Sequence, residues 1–167
     1  MTLAEALLPE FDREMGLTRR VLERVPDGQF DWKPHEKSMT LGRLAEHLTE
    51  MPMWLAVSIT QSGVDVSTPR PPDYKSPATR AALLAVFDRN VAEARTALAG
   101  RGDGELMAPW KLKKEGKELF TMPKVAVIRG FAMNHMIHHR GQMMVYLRLQ
   151  NVAVPSIYGP SADEQIF

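Results

Sequence analysis

With 167 residues, 44 % of them hydrophobic and 25 % charged, the chain fits a single domain, residues 1–167, with a substantial core. The 21 basic and 20 acidic side chains leave a formal charge of +1, so no general field draws it to nucleic acid or anionic lipid. Cysteine is absent, which excludes disulfides and any thiolate as nucleophile or soft metal ligand. The first fifteen residues mix acidic side chains into an apolar run, unlike a secretory signal, and no run approaches the ~20 apolar residues of a membrane span. A cytoplasmic location is expected.

Leu3, Leu7, Phe11, Met15, Thr18, Val21, Leu22 and Val25 recur at intervals of three and four, the stripe of a first helix. Thr2 and Glu5 have the spacing of a capping box, and Pro26-Asp27-Gly28 supplies the stop. Gln29 to Met39 reads as irregular chain. A second helix starts at Thr40 and places Leu41, Leu44, His47, Leu48, Met51, Trp54 and Leu55 on one side. Pro52 inside it predicts a kink one turn after His47.

Gln61 to Lys75, with Gly63, Pro69, Pro71 and Pro72, reads as a long connection without an element. Ser76 as N-cap and Pro77 as first residue predict a third helix that carries Leu83, Leu84, Phe87, Val91, Ala94 and Leu98 and ends at Gly100. Arg101 to Thr121 holds Lys111, Lys113, Lys114 and Lys117 and reads as a solvated loop with a short hairpin around Gly116. A fourth helix begins near Met122-Pro123 and continues from Val125 to Gln150. A final turn is expected at Ser161 to Phe167. Four helices with polar connections and no long strand pattern predict an all-α four-helix bundle. The crossover between helices two and three is long enough to make those two parallel.

His135, His138 and His139 crowd this fourth helix, three of the five histidines in the chain. Residues four apart lie roughly 40° apart around a helix, so His135 and His139 share the apolar face, together with Ile128, Phe131, Gln142, Tyr146 and Leu149. His47 occupies the apolar face of helix two. Three uncharged imidazoles buried there would each need a partner, or cost about 1–3 kcal/mol apiece. One shared metal ion satisfies all three. The metal site is therefore read as His47, His135 and His139, with room for water or substrate. Zinc or nickel suits imidazole best, with iron or manganese as other candidates. Gln142 is placed to bond a ligand imidazole or bound water.

His138, on the other side of His135, and His35, in irregular chain, stay outside this set. Glu14, Glu46 and Glu50 read as solvated side chains, Met133, Met136, Met143 and Met144 as packing, and Trp32, Trp54 and Trp110 as core or rim.

The run Asn134-His135-Met136-Ile137-His138-His139-Arg140-Gly141-Gln142, followed by Tyr146-Leu147-Arg148-Leu149, Val154-Pro155 and Ser156 through Glu164, resembles the DinB-like family. Thr40 through Leu48 is similar to that family's second-helix motif. The resemblance spans the chain and is most specific in the C-terminal third. It implies an up-down-down-up bundle, a divalent metal on residues matching His47, His135 and His139, and frequent homodimers. It also implies, for some members, thiol-dependent transferase or isomerase activity with a low-molecular-weight thiol, or metal-dependent hydrolysis. The expected function is thus a metal-dependent enzyme acting on a small molecule, with Gln142 and Tyr158 binding substrate and no catalytic residue assigned. Arg140 is expected to form an external salt bridge. The second reading is a non-catalytic, metal-clipped bundle that binds a ligand or partner. Neither nucleic acid nor membrane is an expected partner.

Overall fold

A computed structural model describes residues 1–165. Helix α1 (Leu3–Leu22) begins as its sequence predicts: the Glu5 N–H donates to Thr2 Oγ1 at 3.2 Å, and the Thr2 N–H to Glu5 Oε2 at 2.7 Å. The helix continues through Pro9 and buries Leu7, Phe11, Met15 and Val21. Its stop follows at Pro26-Asp27-Gly28, where Gly28 adopts φ +85°. Helix α2 (Leu41–Thr60) is capped by Thr40, whose hydroxyl accepts from the Arg43 N–H at 3.1 Å, and it runs through Pro52.

Strand β1 (Gly63–Asp65) lies in what reads as unstructured connection. Helix α3 (Arg80–Leu98) starts later than the Ser76-Pro77 signal predicts, and Thr79 caps it. The cause is tertiary: the Ser76 hydroxyl donates to the Glu46 carboxylate on α2 at 2.9 Å, which ties this stretch to α2 ahead of the helix start. Gly100 ends this element at φ +72°.

A short α4 (Asp103–Leu106) precedes strands β2 (Pro109–Lys114) and β3 (Lys117–Pro123), the predicted hairpin. Its two-residue turn places Glu115 at φ 51° and Gly116 at φ 75°, the left-handed pair that matches the twist of the flanking strands. The lysine run is solvated, but it lies on strands, not in a loop. Strand β1 pairs parallel to β2, and β2 antiparallel to β3. The all-α expectation is thus corrected to a mostly helical fold with a small three-stranded sheet. Short strands of three to seven residues with a mostly exposed face carry too little alternation to be seen in sequence.

The last long helical stretch is not uniform. A single turn, α5 (Lys124–Ala126), leads into a π-helical segment (Val127–Asn134), and α6 (His135–Leu149) is regular. The main core lies where α2 packs along α3, α1 packs on α3 and α6, and α2 packs on the π-helical segment and α6. A smaller core of Trp110, Leu112 and Val127 lies between the sheet and that segment, with Phe120 and Phe131 against it. Trp110 is fully buried, and among the described residues its indole N–H has no acceptor.

After α6 the chain is pinned by Ser161, whose hydroxyl donates to the Val154 carbonyl at 2.6 Å, and by Asp163, which accepts from the Val154 N–H at 2.9 Å. The expected final turn extends to residues 166 and 167, which lie outside the described residues. Among the described residues no helix is long and apolar enough to cross a membrane.

Candidate metal centre

His47 comes from the middle of α2, and His135 and His139 from the first turns of α6, just past the π-helical segment. The Nε2 atoms of His47 and His135 stand 3.4 Å apart, and those of His135 and His139 2.7 Å apart. One nitrogen from each ring lies within 4.8 Å of the others, so the three imidazoles can share one cation. Two imidazoles bound at 2.0–2.1 Å to one ion stand about 3.3 Å apart at a tetrahedral angle and about 2.9 Å apart at a right angle. The observed spacings straddle that range.

The outward sides of two of the rings are already committed to oxygen. His47 Nδ1–H donates to Glu50 Oε2 at 2.9 Å, and His139 Nδ1–H donates to Gln142 Oε1 at 2.7 Å. A neutral imidazole with its proton on one nitrogen has only a lone pair on the other. The partners therefore aim the bare nitrogens of His47 and His139 at the His135 ring, an arrangement that a shared cation stabilises. A proton is a poor candidate. Burial, then the neighbouring His47, push the His135 imidazolium below the ordinary histidine range. Burial does the same at His139, where the Gln142 hydrogen bond opposes it and His47 and His135 add to it. The donor set fits a divalent metal ion.

The surroundings revise several readings of the sequence. Glu50 is a half-buried partner of His47 rather than a solvated side chain. Glu46, also expected in solvent, is only 3 % exposed and accepts from Arg70 (2.9 Å), Tyr74 (2.6 Å) and Ser76 (2.9 Å). Burial alone would raise its carboxyl pKa, but these hydrogen bonds outweigh burial and hold it below the usual range. Tyr74 in turn is pushed up to about 12 by burial and by the Glu46 carboxylate.

His138 is exposed and stays outside the triad, as expected, but it has a place. Gln142 Nε2 donates to His138 Nε2 at 3.1 Å, which turns the amide oxygen toward His139. Both ends of Gln142 are thus engaged in orienting a ring. His35 is exposed in the turn before α2, where its Nδ1 accepts from the Lys37 N–H.

Tyr158 belongs to a different cluster. Its hydroxyl bonds Glu14 Oε2 and Arg140 Nη2, each at 2.7 Å, while its ring remains exposed. Glu14 and Arg140, both expected at the surface, are buried at 4 % and 1 % exposure and paired at 2.7 Å. The wheel sends Arg140 away from the histidines, and α1 lies on that side. The pair faces a neighbouring helix where solvent was expected.

Phe131 edges onto His135 at 6.0 Å between ring centres, and Trp54 edges onto Phe131 at 6.2 Å, so an aromatic wall stands beside the triad. The methionines read as packing are packing: Met133, Met136 and Met143 are buried.

Helices that bring three histidines from two distant segments to one point define a helical protein with a candidate metal centre. Comparison with known proteins then gives the family. The DinB family profile matches residues 1–165, and the chain belongs to that family. It is 27 % identical over 158 residues to the uncharacterised protein YrdA of Bacillus subtilis (strain 168), covering 94 % of this chain and 89 % of that one. In fold it is similar to a DinB-like protein from Bacillus cereus ATCC 10987, with a TM-score of 0.72 at 24 % identity, covering 94 % of this chain and 98 % of the other. A DinB-like protein from Bacillus subtilis, YjoA, gives a TM-score of 0.70 at 17 % identity, covering 96 % and 99 %.

Proposed function

We propose that this protein is a metal-dependent enzyme that holds a zinc or nickel ion on the Nε2 atoms of His47, His135 and His139 and acts on a small molecule with a low-molecular-weight thiol or water as nucleophile. One observation carries the reading: three imidazoles, two of them with outward nitrogens already bonded to oxygen, bring one nitrogen each to a common point. A bound ion supplies Lewis acidity, which lowers the pKa of a nucleophile and polarises a carbonyl or similar group. The chain's own residues do the rest. Glu50 fixes the His47 tautomer, Gln142 fixes that of His139, and His138 holds Gln142 in the required orientation. Phe131 and Trp54 supply an apolar flank that excludes water from one side. Tyr158 is assigned to substrate through its exposed ring, since its hydroxyl is engaged.

The same reading takes the four long helices as an up-down-down-up bundle, supported by α2 packing along α3 with a long connection between them. It takes the working unit as a homodimer, supported by family resemblance alone, and keeps the cytoplasmic location as an expectation.

The test is metal content and cosubstrate binding. After loading with Zn²⁺ or Ni²⁺ and desalting, mass spectrometry should find one ion per chain, and His139→Ala should lose it. Unchanged stoichiometry in that variant removes the ligand assignment. Cobalt-loaded protein should change its visible spectrum when a small thiol is added. A spectrum indifferent to thiol removes the thiol part and leaves water as nucleophile.

A further inference from the structure

Arg70 lies in the exposed connection between β1 and α3, yet its guanidinium reaches two carboxylates on α2. Nη1 donates to Glu46 Oε1 at 2.9 Å, and Nη2 donates to Glu50 Oε1. Glu50 uses its other oxygen to accept the His47 Nδ1 proton at 2.9 Å. An unbroken series of guanidinium, carboxylate and imidazole therefore runs from a surface connection to one member of the triad.

The connection is latched at the same place by other groups. Tyr74 and Ser76 donate to Glu46, and the Arg70 guanidinium lies 4.7 Å from the centre of the Tyr74 ring. Beneath this strap is a cavity of about 330 Å³ lined by Glu50, Met53, Arg70, Tyr74, Val86 and Asn90. The strap can therefore shift without unpacking α2 from α3.

Arg43 provides an internal contrast. It sits on α2 itself and holds both Glu50 oxygens, Nη1 to Oε1 at 3.3 Å and Nη2 to Oε2 at 3.2 Å. When Arg70 leaves, Arg43 keeps the carboxylate oriented toward His47. What changes is the charge available on it. A carboxylate shared by two guanidinium groups polarises an imidazole N–H less than one held by a single group, and a more polarised imidazole is the stronger metal ligand.

We propose that Arg70 is a positioning residue that acts through Glu50 to weaken the hold of His47 on a divalent ion, so that lifting the strap tightens the site. The inference rests on the triad being a metal site and adds a coupling between that site and the connection. Its test is a double-mutant cycle on Zn²⁺ affinity, measured by competition with a chromophoric chelator, for the wild type, Arg70→Gln, Glu50→Gln and the double variant. Glu50→Gln should weaken binding roughly 10- to 100-fold, and Arg70→Gln should tighten it by about threefold or more. In the Glu50→Gln background, Arg70→Gln should leave affinity unchanged; with Glu50 intact, Arg70→Lys should keep wild-type affinity. Circular dichroism melts confirm that each variant is folded.

Weaker or unchanged binding in Arg70→Gln overturns the inference. So does equal tightening in both backgrounds, which assigns the effect to bulk charge. A wild type that binds no Zn²⁺ removes the metal reading and this one together. A wild type that binds it, with a flat cycle, removes this one alone.

Discussion

At the scale of single residues, the charged groups were the hardest to read. Glu14, Glu46, Glu50 and Arg140 all look like solvent-facing side chains on a helical wheel, and the structure buries or half-buries every one. A wheel reports which way a side chain leaves its own helix and says nothing about what stands opposite. Arg140 points away from the histidine face, and α1 covers it. The consequence is energetic. Arg140 donates to the Glu14 carbonyl at 3.2 Å, to Thr18 Oγ1 at 3.3 Å, and to the Glu14 carboxylate. Glu14→Ala would leave an uncompensated buried guanidinium, and a loss of about 3–5 kcal/mol is expected from urea unfolding. A loss below about 1 kcal/mol would show that the pair is exposed in solution.

At the scale of elements, start signals that depend on local chemistry held, and those open to tertiary competition did not. Thr2 and Thr40 cap their helices as their spacing predicts, because no other group reaches their hydroxyls. Ser76 has the same chemistry but does not start its helix, because its hydrogen bond to the buried Glu46 carboxylate ties that stretch to α2 and leaves Thr79 to cap. The hairpin around Gly116 was legible from turn chemistry, whereas its third strand was not. Strand β1 exists because Gly63 lets the backbone approach β2: a Cβ there would sit 2.5 Å from the Lys111 carbonyl oxygen. Gly63→Ala should detach or shift this edge strand at a cost of about 1–3 kcal/mol. The faster amide exchange of Lys111 and Val66, whose N–H groups bond Ser62 and Lys113 carbonyls across that edge, would report it. Exchange rates equal to wild type would mean the close approach is relieved elsewhere.

At the scale of the whole molecule, folding brings the three imidazoles together and so links metal, protons and stability. His135 and His139 have imidazolium forms held below the ordinary value of 6.5, chiefly by burial. The folded chain thus binds fewer protons than the unfolded chain near that pH. Stability from these rings is present above 6.5 and is lost as pH falls through 6.5 toward the folded values. Protons also compete with the ion for the same nitrogens. At 100 times its dissociation constant, a bound ion adds about 2.7 kcal/mol, which is roughly 5–11 °C in melting temperature for a chain of this size. Thermal melts with and without Zn²⁺ should show that shift at pH 7.5 and its collapse by pH 5. A shift that survives acidification would place the ion on carboxylates instead.

The amino-acid order alone determined that the chain is helical, where three of its helices carry their apolar stripes, and which histidines share a face, since period and spacing are properties of a segment by itself. Gln142 was legible as a partner for a ligand imidazole for the same reason: it lies three residues from His139 on one helix. Glu50 carried the same signal, three residues from His47 on α2; packing alone decided that Arg70 reaches across to it and that Glu14 and Arg140 pair under Tyr158. Those contacts join residues separated by 20 to 144 positions. No local pattern in a chain encodes what another segment will bring to it.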